Sequence, residues 1–404
     1  MLQQNGPTSG RPGRLAQATI DDPYPRYEQL RSEDPVHWNE GVQAWIVTRY
    51  QDILDALKDP RLSSATISPL LQRAGAGDEG LEQTFLGMML FSDPPDHTRL
   101  RSLANKAFTP HVLEGIRSQI QDNVDRLLDD VQEKRSMEVI SGLAYPLPSI
   151  VISEILGVAD GEEERFKKWT NALARFLGNI REAPENVGAA RESVSELTEF
   201  LSETVAKRRA DPKNDLLSAL VTAEDQGDSF SEHELYSMCI MLIFAGHETT
   251  TNLIGNGILA LLQNPLQLER LRQQPSLIES AVEETIRYNG PVQSISRIAL
   301  EDLRIGDTQI GEGDRISLTL GAANRDPERF SDPDRFDIER SEGRPIGFGF
   351  GIHFCLGAAL ARMESQAAIG TVVKRWPDLR LGEHALEWQN NPVLRGLKAL
   401  PITF

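Results

Sequence analysis

Residues 238–262, MCIMLIFAGHETTTNLIGNGILALL, are apolar enough and long enough to cross a bilayer, yet His247 and Glu248 fall near the middle of the run. An ionisable pair at that depth is costly in hydrocarbon. The residues just ahead of the run carry the start signals of a helix formed in water. Ser231 and Glu234 are spaced as a capping box, with Phe230 and Leu235 placed as a hydrophobic staple. The segment therefore reads as a long helix buried on every side, running through the centre of a large, mainly helical protein.

The remaining chain must wrap around such a rod. With 404 residues and 40% hydrophobic content, it can build a substantial core. Residues 36–48 (VHWNEGVQAWIVT) read as a small hairpin and YQDILDALKD as the helix that follows. From about 95 to 285 apolar residues recur at helical spacing, with turn residues at DPKND and EDQGDS. The C-terminal third mixes short strands (SRIAL, RISLTL, LRGLKALPITF) with Pro-, Asp- and Gly-rich turns. No internal repeat is present. The expected architecture is a large helical lobe with a smaller β-rich lobe, one domain spanning 19–404 after a flexible tail at 1–18.

Charge and cysteine usage narrow the function. A net charge of −18 argues against nucleic acid as the main partner, because neutralising phosphates needs basic surface. The two cysteines, Cys239 and Cys355, offer neither a disulfide framework nor zinc spacing, which points to a reducing cytoplasm. The opening MLQQNGPTSGRPGRLAQATI has no apolar core segment, so neither a signal peptide nor a membrane anchor is expected.

Cys355 stands in GFGFGIHFCLGAAL, between a glycine-rich aromatic loop and an apparent helix. A cysteine ahead of a helix feels the positive end of the dipole, which favours thiolate. Gly347, Gly349, Gly351 and Gly357 allow close backbone approach, Phe348, Phe350 and Phe354 can shield the sulfur, and His353 adds a donor beside it. A shielded thiolate suits a nucleophile or an axial metal ligand. A buried structural cysteine in a glycine-rich turn is the plainer alternative.

Three motifs occur in order. The central segment has A-G-x-E-T at Ala245, Gly246, Glu248 and Thr249. E-x-x-R follows at Glu284 and Arg287, on a helix that Ser276 and Glu279 are spaced to cap. F-G-x-G-x-H-x-C-x-G closes the set with Phe348, Gly349, Gly351, His353, Cys355 and Gly357. The first also brushes the zinc motif H-E-x-x-H, but position 251 is Thr251, so the second ligand is missing. E-x-x-R alone is weak, the cysteine loop is strong, and the ordered set is very specific. Together they resemble the cytochrome P450 superfamily, in its soluble bacterial branch, over nearly the whole chain from DPYPRYEQLR onward.

The resemblance implies a mainly α cytochrome P450 fold holding haem b, iron protoporphyrin IX, between helices. Cys355 would be the thiolate ligand of the iron, a ligand that favours O–O cleavage. His97 and Arg101, Arg297, and His353 match the positions that bind the propionates, with Phe348, Gly349 and Gly351 in the loop beneath. Glu284 and Arg287 would be joined by a later arginine in a structural network. Arg340 is preferred over the arginine of PERF at 327–330, although on local spacing Glu283 could pair with Arg287 equally well. Glu248 and Thr249 are the catalytic candidates: Thr249 holding a water at the oxygen site and Glu248 relaying protons, with Gly246 permitting a local opening of the helix. Their plainer reading is a kink and a cap.

The implied activity is a monooxygenase using O2 and electrons from a separate carrier, a ferredoxin with its reductase or a flavodoxin. A haem sensor, an electron carrier or a peroxide-driven peroxygenase would not need the acid–threonine pair. Arg99, Lys106 and Arg362 are either a docking patch for an acidic carrier or ordinary solvated charges. The segments placed by resemblance at the substrate are about 62–91, ARFLGNI, Met241–Ala245, Val292–Ile295 and Val393–Leu394. They are mostly apolar, which implies a lipophilic substrate such as a polyketide or macrolide, fatty acid, steroid or terpenoid. A cytoplasmic monomer is expected.

Overall fold

The computed structural model describes residues 20–73, 79–157, 163–178, 184–213, 215–225, 227–383 and 385–404. The tail at 1–18, the middle of the 62–91 segment and the end of ARFLGNI lie outside the described residues.

The central rod forms as its sequence requires. Helix Glu232–Gln263 starts on a complete capping box: the Ser231 hydroxyl accepts from the Glu234 N–H at 3.3 Å, and the Glu234 carboxylate accepts from the Ser231 N–H at 2.9 Å. At 1.5 Å per residue it runs about 48 Å. Nearly every side chain from Leu253 to Leu261 is buried, including the faces a surface helix would keep polar. Among the described residues no helix is both long and apolar enough to cross a membrane. The other helices pack around the rod, among them Pro146–Ile155, Glu163–Gly178, Pro184–Ala210, Ile278–Asn289 and Ala358–Arg375. Their apolar faces merge into one core that includes Trp169, Phe85, Phe166 and Phe176.

A second core lies under a five-stranded sheet in the spatial order Val36–Asn39, Ala44–Val47, Arg315–Leu318, Ile295–Ala299, Leu62–Ser63. The expected hairpin is present, with Trp38 opposite Trp45. Strand Ala44–Val47 then pairs in parallel with Arg315–Leu318, Trp45 against Ile316. This cluster gathers Val47, Ile53, Leu318 and Phe330. The division into a helical majority and a β-rich minority follows the sequence reading.

Two local readings need correction. LRGLKALPITF is not one strand: only Pro401–Thr403 is extended, and Leu394 and Leu397 make isolated bridges to Val292 and Trp388. Ser276 and Glu279 do not cap a helix. Pro275 instead opens a 3-10 turn, Pro275–Leu277, and helix Ile278–Asn289 continues from it with Leu277 already near helical geometry.

Candidate active site

The cysteine loop is held by its own backbone. Gly349 N–H donates to the Ile346 carbonyl and Cys355 N–H to the Phe348 carbonyl, at 2.8 and 2.9 Å. Gly349 and Gly351 have φ of +73° and +72°, which side-chain-bearing residues seldom adopt. At Gly351 a Cβ would also stand 2.9 Å from the Leu57 carbonyl oxygen. Phe348 and Phe354 meet edge to face at 6.4 Å, on the side of the helical core. Phe350 does not join them. It packs on the β-lobe core, between Lys58 and Arg344.

The thiol itself departs from expectation. The Gly357 N–H, Arg101 and Arg362 each favour thiolate, but desolvation outweighs them and pushes the Cys355 thiol up. The helix start alone does not hold a thiolate; a coordinated cation would, because a coordinating thiol loses its proton outright.

Four basic side chains converge on the loop. Arg101 donates to the Phe354 carbonyl at 2.7 Å, one residue from the sulfur. The His97 and His353 rings lie 4.1 Å apart, and His353 Nε2 is 2.9 Å from the Ser64 hydroxyl. Burial lowers the affinity of both imidazoles for protons, and Arg101 and Arg297 lower it further. The group is short of anions. His97 is buried with no partner at either ring nitrogen, and the Arg297 guanidinium is bonded to the Ser296 carbonyl. Asp93 is the carboxylate within reach, and it accepts from the Ser63 hydroxyl and, at 2.8 Å, from the Ser64 N–H. A partly buried basic cluster beside a half-buried thiol fits a group that brings two carboxylates and a metal, as haem does.

E-x-x-R resolves as a ternary knot. Arg287 donates to Glu284 through Nε and Nη2 at 2.7 and 2.8 Å, and Arg340 Nε reaches the same carboxylate at 3.3 Å. Arg329 of PERF faces the Tyr50 ring instead. Glu283 points away to Arg362. Asn324 was not anticipated. Its carbonyl accepts from Arg287, and its side-chain oxygen accepts from Ile346 N–H at 2.8 Å, at the entry to the cysteine loop.

Glu248 and Thr249 lie on the central helix, which is α-helical throughout, so the local opening expected at Gly246 is not present. The Thr249 hydroxyl donates to the Ala245 carbonyl at 2.7 Å. Glu248 Oε2 is buried without a partner, and burial pushes the carboxyl up to about 7. Among the described residues no cluster of three or more histidine, cysteine or acidic side chains is placed to hold a metal ion.

The apolar segments assigned to substrate do come together in pairs. Val292 bridges Leu394, with Gln293 N–H on the Val393 carbonyl, and Phe85 meets Phe176 at 5.5 Å. Met241 and Leu242 are buried. Of the three basic residues considered for docking, Arg99, Lys106 and Arg362, Arg99 pairs with Glu234 and Asp228, and Arg362 with Glu283.

Fold and site together define a haem-thiolate oxygenase. Residues 42–377 match the cytochrome P450 family profile. Cytochrome P450 107B1 of Saccharopolyspora erythraea is 44% identical over 95% of this chain and 96% of its own. The polyketide biosynthesis cytochrome P450 PksS of Bacillus subtilis is 39% identical over 95% and 96%. A crystal structure of P450BioI, in complex with hexadec-9Z-enoic acid ligated acyl carrier protein, superposes with a TM-score of 0.89 at 38% identity, covering 96% of this chain and 99% of that one. The chain belongs to the cytochrome P450 family. It is a haem b monooxygenase that uses O2, a redox partner and a lipophilic substrate.

Proposed function

We propose that Cys355 is the axial ligand and that His97, Arg101, Arg297 and His353 bind the haem propionates, with Phe348, Gly349 and Gly351 shaping the loop beneath. The observation that carries this is the anion-poor basic cluster beside the half-buried Cys355 thiol of the loop. Haem bound there supplies reductive activation of O2 and transfer of one oxygen atom to a C–H bond.

The chain's own residues manage water and protons. The Thr249 hydroxyl has one hydrogen, already given to Ala245, so it meets a neighbouring water only as an acceptor. The Glu248 carboxyl, raised to about 7, is close to half protonated at neutral pH and exchanges its proton readily with such a water. The pair therefore suits stepwise proton delivery, with Glu248 as relay and Thr249 as the anchor of the water.

The substrate we infer is an acyl chain or polyketide. Apolar residues dominate the paired segments, and similarity to a polyketide-biosynthesis enzyme and to one captured with a fatty-acylated carrier protein supports the choice. A ferredoxin with its reductase, or a flavodoxin, is the proposed donor to a cytoplasmic, monomeric enzyme whose domain begins at residue 19. The test is a screen of fatty acids, polyketides and macrolides for a Soret shift, followed by turnover with each donor. Binding confined to small polar compounds would overturn the substrate class.

A further inference from the structure

His247 and Glu248 are adjacent on the central helix, and both line one cavity of about 300 Å³. Its other walls include Tyr145, Asn171, Arg175 and Gln389. Thr249 is not part of the lining. The Glu248 carboxyl thus stands between a polar cavity and the turn of helix that carries Thr249.

The histidine's tautomer follows from its contacts. His247 Nε2 lies 3.2 Å from the Tyr145 carbonyl, which can only accept, so Nε2 carries the hydrogen. Burial lowers the imidazole to about 4 and keeps it neutral. Nδ1 is therefore a bare acceptor. The ring is fixed edge-on against Tyr145 at 4.3 Å, and the Tyr145 hydroxyl donates to Asn171 at 3.3 Å. On the next residue, Glu248 Oε2 is buried with no partner. One wall thus holds a fixed acceptor and an unsatisfied carboxyl, in a space large enough for several waters.

We propose that this cavity is the water-filled proton inlet to Glu248, and that His247 is a positioning residue whose Nδ1 orients the inlet water against the Glu248 carboxyl. The inference rests on Glu248 acting as the proton relay. A proton entering from bulk shifts one proton along the chain. The carboxyl gives one up toward Thr249 and regains one from the inlet, and the water ends unchanged.

The test uses haem-loaded enzyme and the infrared C=O stretch of protonated Glu248, assigned as the band lost in Glu248→Gln. His247→Phe keeps the ring against Tyr145 and removes the acceptor. His247→Gln keeps a donor for the Tyr145 carbonyl and offers an amide oxygen. In His247→Phe the band moves to the frequency of an unbonded carboxyl, and its shift in D2O slows on the order of ten-fold. In His247→Gln both stay near wild type. Asn171→Leu, which makes the wall apolar, also slows the D2O shift. A wild-type band and exchange rate in His247→Phe overturns the proposal, as does His247→Gln behaving like His247→Phe. If His247→Phe fails to take up haem, unchanged exchange in Asn171→Leu overturns it. Full coupling in Glu248→Gln would sink the relay reading instead, while the infrared results would still decide whether cavity water reaches Glu248.

Discussion

Arg287 grips Glu284 with two parallel hydrogen bonds, at 2.7 and 2.8 Å, and neither side chain is more than 3% exposed. The guanidinium also donates to the carbonyls of Asn324, Pro333 and Arg335. The carboxylate accepts from Asp337 N–H and from Arg340. One helix is thereby tied to the meander that leads, through Asn324 and Ile346, into the cysteine loop. A buried pair so fully bonded acts as a register device: its partners satisfy it in one arrangement only.

Arg287→Ala strands the Glu284 carboxylate with Arg340 as its one cation, 3.3 Å away. Removing one partner of a buried pair costs about 3–5 kcal/mol. The expected outcome is insoluble protein or poor haem retention. Arg340→Ala removes the longer, single bond to Glu284 and is milder. Haem content per chain and the thermal midpoint check the ranking; an Arg340 variant worse than the Arg287 variant would reverse the roles assigned to them.

With Cys355 as the proposed axial ligand, Cys355→Ser exchanges a thiolate for a poor ligand. The reduced carbon monoxide complex of the wild type should show the strongly red-shifted Soret band of thiolate ligation, and the variant should lose it. Cys239 is buried in the central helix with its thiol pushed up to about 12, so Cys239→Ser leaves the band in place. The visible spectrum of each variant decides between the two cysteines.

Much of this was legible in the sequence because the signals were local. The capping box at Ser231 and Glu234 lies within four residues, and the loop motif holds its glycines at fixed offsets from Cys355. The preference for Arg340 over Arg329 agrees with the geometry. Contacts distant in sequence were not legible: Glu283 with Arg362, Ser64 with His353, and Asn324 with Ile346 have no spacing rule that predicts them. The desolvation that pushes the Cys355 thiol up was not legible, because helix-end electrostatics is visible in sequence and burial is not. The inlet cavity escaped notice because Tyr145, Asn171 and Gln389 come from three separate segments.

Glu364 supplies a test of stability against pH. It is buried with Oε2 unpartnered, and desolvation raises its carboxyl from 4.5 to about 8. The folded state then binds the proton more tightly than the unfolded state. The stabilisation from the neutral acid is full below the unfolded value of 4.5 and is lost as pH rises through 8. Glu364→Gln keeps the shape without the titration. Its thermal midpoint should stay near wild type at pH 5 and exceed wild type at pH 8.5, reflecting a stability difference on the order of a few kcal/mol. Midpoints that remain parallel across that range would show that Glu364 stays ionised in the fold.

Thr249 separates proton delivery from electron consumption. Its hydroxyl hydrogen is committed to the Ala245 carbonyl at 2.7 Å, so what it offers a water is an acceptor. Thr249→Ser keeps that acceptor, whereas Thr249→Val keeps the bulk and Thr249→Ala keeps neither. None of the three touches Cys355 or the basic cluster, so haem content and the thiolate spectrum should be unchanged. NAD(P)H and oxygen consumption should continue, since they need no hydroxyl at this position. In the alanine and valine variants reduced oxygen leaves as hydrogen peroxide, and product per electron falls on the order of ten-fold or more. The serine variant retains most of its coupling. Counting NAD(P)H, oxygen, peroxide and product together, with a substrate found by the spectral screen, gives the answer. Tight coupling in Thr249→Val would show that the hydroxyl merely caps Ala245 and that protons reach the oxygen site without it.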